Sequence, residues 1–375
     1  MISYSKIRVQ IDLNAIRHNY RLLCRAGTQV IPVIKSDAYG HGLCQVAQSL
    51  AGEGADIFAV GYVHEGVQLR ESGCQGRIIS LLGPVDAGDY GALREADIIP
   101  FIGHAATLET LAATGDSPID IALKFDTGMS RLGFREEQLP DLVEFLRSHP
   151  HIRPVMLSSH LAAADDPRSN ALTDSQYETF SRILSGLREA GFSPESNLAN
   201  SAAILGHEKC LCDYQRGGLA LYGANPFCGT AWEHLGRDLQ PAMDVTAPVL
   251  SVHPLEKGQG ISYGHTFVAD RDMLVAVVGV GYADCYSRGL SNEGWMNFKG
   301  CRVPIVGRVC MQMTCVDISG LEAQDLTVRV GDAIHLLGGP GAGRISPEDL
   351  AEWWGSITYE VLCLLGMNQR SFIES

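Results

Sequence analysis

Short apolar runs alternate with helical patterns of apolar residues along the first two thirds of the chain. The run VIPVIK, at residues 30–35, has the pattern of a buried strand. Leu43, Val46, Ala47 and Leu50 then mark one face of a helix. Similar apolar runs recur along the chain. The predicted strands are residues 31–35, 57–60, 78–82, 98–102, 119–125, 154–159, 196–199 and 217–222.

Amphipathic segments fill the intervals between these runs. Two of them read EEQLPDLVEFLRSHP and TDSQYETFSRILSGLREAG. In the second segment, Thr173 has a side chain that favours an N-cap, and Gly191 is typical of a helix C-terminus. This pattern predicts a helix that begins at Thr173 and ends before Gly191.

The alternation predicts an α/β fold of about eight strand–helix units in about 220 residues, which is the count and length of a TIM barrel. A doubly wound sheet also alternates strands and helices, but it usually has fewer strands and a glycine-rich first turn. No G-x-G-x-x-G follows the first predicted strand. The pattern therefore favours the (β/α)8 barrel.

After about residue 240 the pattern changes to that of a mostly-β domain. Segments such as LVAVVGVGYA and LTVRVGDAIHLL are rich in Val and Ile and are separated by turn residues. The chain then closes with a helical segment, SPEDLAEWWGSITYEVLCLLG, which Ser346 can cap and in which Pro347 suits the first turn. We predict a barrel over residues 1–240 and a mostly-β domain over residues 241–375.

Composition narrows the class of protein. With 375 residues, 46% hydrophobic and 19% charged, the chain has ample material for a globular core. A formal net charge of -14 argues against nucleic acid as a partner, because binding phosphates takes clustered Lys and Arg. No apolar stretch approaches the roughly 18 residues that span a bilayer, so no membrane association is expected.

The cysteine pattern and the N-terminus predict a cytoplasmic protein. The first twenty residues lack the apolar core of a secretory signal. The 11 cysteines are scattered and show no paired C-x-x-C spacing of a metal site. Reduced thiols and no metal are therefore expected.

Polar side chains collect where the predicted barrel strands end, which is where TIM barrels carry their chemistry. Lys35 ends the first predicted strand. A lysine at such a position either extends its amine to solvent or takes part in the chemistry of the site. Independent strands contribute further polar groups to the same rim. They are Lys124, Asp126, Arg131, His160, Asn200, Ser201 and Arg216.

The end of the barrel near the seventh and eighth strands commonly binds phosphate. Ser201 offers a hydroxyl there, and Gly217 and Gly218 let backbone N–H groups approach an anion. A lysine facing a phosphate site points to a phosphorylated aldehyde, and pyridoxal phosphate bonds to such a lysine. Pyridoxal 5'-phosphate is the expected cofactor.

A series of motifs closely resembles the alanine racemase family, in that family's order and over nearly the whole chain. The combination of ISYGHTF with the β-domain motifs is highly specific, whereas the Lys35 segment alone is shared by related barrels. The motifs are VIKSDAYGHG, DTGMSRLGF, SSHLAAAD, ANSAA, RGGLALYG, ISYGHTF, VGYADCYSRGL, GRVCMQM and ITYEV.

The resemblance implies an isomerase that interconverts L-alanine and D-alanine with two acid/base residues on opposite faces of the α-carbon. Lys35 matches the residue that bonds to the cofactor and serves one face. Tyr263 matches the residue that serves the other face and is contributed by the second subunit of a homodimer. Racemisation needs both, since one group removes the proton and the other returns one from behind.

The resemblance also assigns roles around the cofactor ring and the substrate. Arg216 would bind the pyridine nitrogen, and His160 would position Arg216 and Tyr263 through hydrogen bonds. Arg131 would hold the cofactor's phenolic oxygen and the substrate carboxylate. Lys124 matches a lysine that is often carbamylated, which would convert a cation into an anion that fixes Arg131.

The remaining assignments concern the phosphate group and the substrate entrance. Met311 matches the residue whose backbone N–H binds the substrate carboxylate, and Tyr282 matches an inner gate residue. Gln312 departs from the family, which often has an acid there, so a formal charge near the substrate is absent. The cofactor-binding cradle would comprise Tyr39, Asn200, Ser201, Gly218, Leu219 and Tyr359.

Several alternatives stay open at this point. A crowded substrate pocket accepts the methyl side chain of alanine. One extra heavy atom changes the free energy of binding in such a pocket by only about 1–3 kcal/mol, so serine or broader amino-acid activity is expected beside alanine. A cofactor-carrying barrel without turnover would lack the β domain and Tyr263. A decarboxylase of the same fold usually uses a cysteine as its acid, and Cys310 keeps that possibility open.

Overall fold

The computed structural model describes residues 4–24 and 28–374. Contacts between residues divide the chain into two compact units. The strands are β1 (Arg8–Asp12), β2 (Gln29–Pro32), β3 (Ile57–Val60), β4 (Arg77–Ser80), β5 (Ile98–Ile102), β6 (Ile119–Lys124), β7 (Ile152–Ser158), β8 (Glu195–Asn197), β9 (Tyr214–Gly217), β10 (Met243–Leu255), β11 (Gly260–Ile261), β12 (Phe267–Val268), β13 (Met273–Val278), β14 (Trp295–Phe298), β15 (Cys301–Pro304), β16 (Thr314–Asp317), β17 (Ala333–Leu337) and β18 (Arg370–Ile373).

Ten right-handed α-helices of the described residues connect or follow these strands. None of them is both long and apolar enough to cross a lipid bilayer. They are Leu13–Leu23, Leu43–Ala51, Val63–Glu71, Ala87–Glu95, Ala105–Ala113, Leu139–Ser148, Asn170–Glu189, Ser201–Gly206, Pro347–Trp354 and Thr358–Leu365.

The first unit is a parallel barrel built from residues 16–38 and 43–240. Its eight strands are ordered β2-β9-β8-β7-β6-β5-β4-β3, and a parallel bridge between Val33 and Ala59 joins the two ends of that series. Strands such as β3 and β5 are buried along their whole length, as expected when helices cover the outside of a parallel sheet. The predicted TIM barrel is confirmed.

The second unit is mostly β, as predicted. It contains β1, residues 39–42 and the chain from Pro241 onward. Its main sheet runs β15-β14-β17-β10-β1-β18, and β10 also pairs with β13, which pairs with β16. A small apolar core of Leu255, Ile261, Met273, Val275 and Val306 lies beside the hairpin β11–β12.

The N-terminal strand belongs to this second unit although the sequence pattern grouped it with the barrel. β1 pairs antiparallel with β10 and parallel with β18, and Val9 and Ile11 are fully buried between them. Hydrogen bonding across the sheet therefore determines where β1 lies, and a local pattern cannot reveal partners so distant in sequence.

Two of the predicted elements differ from the structure. The predicted strand at 217–222 is instead the end of β9 followed by a 3-10 helix, Leu219–Tyr222, because Gly218 has φ -113° and ψ -98° and breaks the extended backbone. Thr173 does not cap a helix. That helix begins at Asn170, and Thr173 is buried inside it.

The helical segment near the C-terminus is interrupted. Ser346 caps it as predicted, since its Oγ accepts a hydrogen bond from the N–H of Asp349 at 3.0 Å. Gly355 then adopts φ +73°, which ends Pro347–Trp354 and lets a separate helix, Thr358–Leu365, start. The single predicted helix is therefore two.

Candidate active site

Lys35 follows β2 by three residues and opens an unusual turn. β2 ends at Pro32, so the prediction that Lys35 ends the strand was wrong by three residues. Ser36, Asp37 and Ala38 have φ values of +53°, +55° and +54°, which form a left-handed turn. Left-handed backbone is unfavourable for L-residues with a Cβ, and such strain persists only where the surroundings hold it.

Arg216 lies at the centre of a dense hydrogen-bond network inside the barrel. It lies on β9 and is only 5% exposed. Its Nη1 donates to Ser158 Oγ at 2.7 Å, and its Nη2 donates to the carbonyl oxygen of Ser159 at 2.6 Å. The network fixes a permanently charged guanidinium with donors only, so any group it faces has to accept.

His160 is held in its neutral form beside Arg216. Burial lowers the pKa of His160 well below its usual value, and the positive charges of Arg216, Lys124, Arg131 and Lys35 lower it further. Arg216 Nη2 donates to His160 Nδ1 at 3.1 Å, so Nδ1 is the accepting nitrogen and the proton lies on Nε2. The predicted pairing of His160 with Arg216 is present in the structure.

Ser201 gathers backbone donors between β8 and β9. Its Oγ accepts hydrogen bonds from the N–H of Gly218 at 2.9 Å and of Ala220 at 3.2 Å. Asn200 caps the helix Ser201–Gly206 by accepting from the N–H of Ala203 at 3.1 Å. Hydroxyl and amide donors at this end of a barrel have the chemistry that recognises a phosphate.

Lys124 is a half-buried amine at the end of β6. Burial and the nearby charge of Arg216 lower the pKa of Lys124 to about 7, although Asp126 opposes the shift. Its Nζ donates to the carbonyl oxygen of Phe125 at 2.8 Å. A large fraction of this amine is therefore neutral, and hence nucleophilic, near neutral pH.

The loop after β6 carries Arg131. Asp126 Oδ1 accepts hydrogen bonds from the N–H groups of Gly128, Met129 and Ser130 at 2.9–3.0 Å, which fixes the loop just before the arginine. Lys124 and Arg131 both line a cavity of about 360 Å³ in the barrel unit.

Tyr263 lies on the turn between β11 and β12 and is 71% exposed, which is unusual for a large aromatic side chain. The preceding residue, Ser262, has φ +63° and ψ -173°, a backbone region that is essentially restricted to glycine. Ser262 Oγ donates to the carbonyl oxygen of Arg308 at 2.7 Å and lies 3.3 Å from Cys310 Sγ. These contacts hold the turn that presents the phenol.

Met311 and Tyr282 lie on adjoining segments of the second unit. The N–H of Tyr282 donates to the carbonyl oxygen of Cys310 at 3.1 Å, and the N–H of Ala283 donates to that of Met311 at 2.9 Å. A Cβ on Gly281 would lie 2.1 Å from the Cys310 carbonyl oxygen, so only glycine allows this approach. Tyr282, Met311 and Gln312 are all exposed.

Tyr39 and Tyr359 form an aromatic pair in the second unit, with ring centroids 5.8 Å apart. Tyr359 lies in the first turn of Thr358–Leu365, and Tyr39 ends the left-handed turn that Lys35 opens. Residue Gly40 contacts Gly366 so closely that a Cβ on Gly366 would lie 2.2 Å from the Gly40 carbonyl oxygen.

The predicted residues thus fall into two groups of the fold. The barrel unit carries Lys35, Lys124, Arg131, His160, Asn200, Ser201, Arg216, Gly218 and Leu219, and the second unit carries Tyr39, Tyr263, Tyr282, Met311 and Tyr359. Sequence reasoning missed three residues that hold this machinery in place. Ser158 accepts a hydrogen bond from Arg216, Ser262 fixes the turn before Tyr263, and Glu65 binds the N–H of Ser36 next to Lys35. Only their partners in space distinguish them from ordinary polar residues.

The parallel barrel, with its lysine and polar residues near the strand ends, followed by the mostly-β unit, has the composition of a barrel-type amino-acid isomerase, and the family profiles agree. The family profile "Alanine racemase, N-terminal domain" matches residues 11–226, and "Alanine racemase, C-terminal domain" matches residues 242–372. The chain belongs to the alanine racemase family, which confirms the resemblance seen in the sequence.

Individual relatives agree with this assignment. The alanine racemase of Nitratidesulfovibrio vulgaris (Miyazaki F) is 54% identical over 100% of both chains. Among solved structures, the biosynthetic alanine racemase of Pseudomonas aeruginosa is 35% identical, with a TM-score of 0.87 over 99% of this chain and 100% of that chain. The alanine racemase of Bartonella henselae, which has covalently bound pyridoxal phosphate, is 29% identical, with a TM-score of 0.87 over 98% and 100%.

Proposed function

We propose that the protein is a cytoplasmic, pyridoxal 5'-phosphate-dependent racemase that interconverts L-alanine and D-alanine as a homodimer. The observation that carries this proposal is the family match over both units, combined with a rim on which Lys35, Arg216 and Ser201 lie at the carboxyl ends of barrel strands. The 11 cysteines are all free thiols, which suits a reducing compartment.

The chemistry of the donor set fits pyridoxal phosphate. Lys35 would bond to its aldehyde carbon, and Arg216 would donate to its ring nitrogen, with His160 holding the guanidinium from behind. When bound, the cofactor supplies an electron sink that acidifies the α-proton of the amino acid. The phosphate would be held by Ser201, Asn200, Gly218, Leu219, Tyr39 and Tyr359.

Lys35 and Tyr263 are the two acid/base residues of this proposal. Each would hold or release a proton at the α-carbon, one on each face, which reverses the configuration. The exposure of Tyr263 on a structured turn leaves its phenol accessible to a partner subunit. The domain after residue 240 would thereby supply the second base across the dimer.

Arg131 and the backbone N–H of Met311 would bind the substrate carboxylate, and Tyr282 would narrow the entrance. Lys124 would be carbamylated: its neutral amine adds to carbon dioxide, forms an N–C bond and releases one proton. The resulting anion would fix Arg131, which lines the same cavity. Loading the protein with ¹³C-bicarbonate should give a carbamate signal by NMR that the Lys124→Met variant lacks.

Alanine racemisation by the variants Lys35→Ala and Tyr263→Phe tests the two-base assignment. Each should lose about 10²–10⁴-fold in rate, the usual worth of an acid/base group. The exposed Lys6→Ala and the helix residue Tyr177→Phe are matched controls and should keep wild-type rates.

Mixing the two inactive variants tests the shared site. Random exchange of subunits yields heterodimers in which Lys35 of one chain meets Tyr263 of the other, so about a quarter of the wild-type rate should return. No recovery after verified subunit exchange would contradict the shared site, and full activity of either variant alone would reject its assigned residue.

A further inference from the structure

Glu65 is a buried carboxylate with four backbone donors and no assigned role. It lies in the helix Val63–Glu71 and is 8% exposed. Oε2 accepts from the N–H of Gly61 at 2.7 Å and of Tyr62 at 3.0 Å. Oε1 accepts from the N–H of Ser36 at 2.6 Å and of Asp37 at 3.4 Å.

The two pairs of hydrogen bonds have different purposes. Those to Gly61 and Tyr62 are local and satisfy N–H groups around the start of the helix, as a glutamate in the first turn commonly does. Those to Ser36 and Asp37 span 28–29 residues and contribute nothing to the helix. They bind the left-handed turn that begins at Lys35.

The turn needs such a partner because its backbone is unfavourable. Ser36, Asp37 and Ala38 are consecutive left-handed residues and none is glycine. Runs of this kind are rare for L-residues, and they persist when neighbouring groups over-determine them. Asp37 adds a second restraint, since its Oδ1 accepts from the N–H of Leu43 at 2.8 Å.

The carboxylate and the base of the lysine side chain both lie close to Gly61. A Cβ placed on Gly61 would lie 2.9 Å from Glu65 Oε2 and 3.4 Å from Lys35 Cβ. Glycine at position 61 therefore leaves room for both the carboxylate and the lysine side chain at the end of β3.

We propose that Glu65 is a positioning residue that sets the direction in which Lys35 leaves the backbone. The carboxylate clamps the first two N–H groups after Lys35 to the end of β3, and so it fixes the turn on which the amine depends. This inference rests on the proposed role of Lys35 as the acid/base residue. The proposed role of Glu65 involves no contact with substrate or cofactor.

Hydrogen exchange in the wild type, Glu65→Ala and Glu65→Gln tests the clamp directly, with and without pyridoxal phosphate. Asp213→Asn is the matched control. The Asp213 carboxylate also accepts a backbone hydrogen bond, from the N–H of Ser196 at 2.8 Å, but it lies at the amino end of β9. Lys35 follows the carboxyl end of the neighbouring parallel strand β2, so the two sites lie at opposite ends of the barrel. Glu65→Ala should speed exchange of the Ser36 and Asp37 amides about tenfold or more, and Asp213→Asn should leave it unchanged.

The kinetic arm uses the same proteins loaded with pyridoxal phosphate. Glu65→Ala should lower kcat for alanine about 10- to 100-fold with little change in KM, because a displaced base loses rate rather than substrate binding. Glu65→Gln keeps the volume and one acceptor, so its kcat should lie between those of the alanine variant and the wild type.

Two results would overturn the clamp: wild-type exchange at Ser36 and Asp37 in Glu65→Ala, or a kcat no lower than that of Asp213→Asn. A wild type that does not racemise alanine would refute the proposed function instead. The exchange arm does not depend on catalysis, so the two failures are distinguishable.

Discussion

Ser262 offers a test in which glycine should be better tolerated than alanine. Its φ of +63° and ψ of -173° carry a strain of about 1–3 kcal/mol for a residue with a Cβ. Replacing it by glycine removes that strain but adds about 0.5–1 kcal/mol of backbone entropy to the unfolded chain. Both the glycine and the alanine variant lose the hydrogen bond from the Ser262 hydroxyl to the Arg308 carbonyl oxygen, which contributes about 0.5–1.5 kcal/mol.

The backbone strain therefore decides which of the two variants is the more stable. We expect Ser262→Gly to be more stable than Ser262→Ala by about 1 kcal/mol, the reverse of the usual preference for alanine. For a domain of this size that difference is about 2–4 °C in Tm, which calorimetry of the holoenzyme resolves. Ser371, on β18 where the pairing with β1 is regular, is the control, and there alanine should be the more stable.

A glycine variant at position 262 no more stable than the alanine variant would refute the backbone argument. The same pair separates stability from function, since both lose the bond that holds the turn of Tyr263. Racemisation should fall about tenfold or more in Ser262→Gly even though its stability stays near that of the wild type.

Three further changes follow from the packing and the charges. Gly366→Ala would place a Cβ 2.2 Å from the Gly40 carbonyl oxygen and should lower the free energy of unfolding by about 3 kcal/mol or more. In the control Gly320→Ala the new Cβ meets no atom within 4 Å, so the free energy of unfolding, measured with urea, should change by no more than about 0.5 kcal/mol. Thr173→Val should leave stability unchanged or raise it by about 1 kcal/mol, because the Thr173 Oγ1 is buried without a partner; a loss of similar size would mean that the hydroxyl does form a hydrogen bond. Lys124 has a pKa of about 7 in the folded protein against an ordinary 10.5, so the unfolded chain binds more protons between these values and folding is favoured as pH rises from 7 to 10.5. Relative to Lys124→Met, the wild type should therefore gain stability over that range in buffers free of carbon dioxide, and a constant difference in Tm would contradict the shift.

The barrel and most of its rim could be predicted from the sequence because periodicity and strand ends are local signals. Lys124 and His160 end or closely follow apolar runs, which become strands of the parallel barrel, whereas Arg216 precedes the run at 217–222 and lies on β9. The cap at Ser346 is similarly local, since the serine and Asp349 are only three residues apart.

What could not be predicted depends on partners far along the chain. Leu219–Tyr222 is buried throughout, and a fully buried helix and a fully buried strand show the same apolar run. Glu65 looks like an ordinary helix glutamate until Ser36 is placed beside it. The strain at Ser262 is equally hidden, because its neighbours in sequence are compatible with many conformations.

The position of β1 has a consequence for how the chain is made. Both of its sheet neighbours, β10 and β18, are translated at least about 230 residues later. At a synthesis rate of about 5–20 residues per second, this strand emerges from the ribosome and stays without its partners for about 10–50 s. During that interval its backbone N–H and C=O groups lack sheet partners, so chaperones are expected to bind the nascent chain at Arg8–Asp12 until β10 has been made.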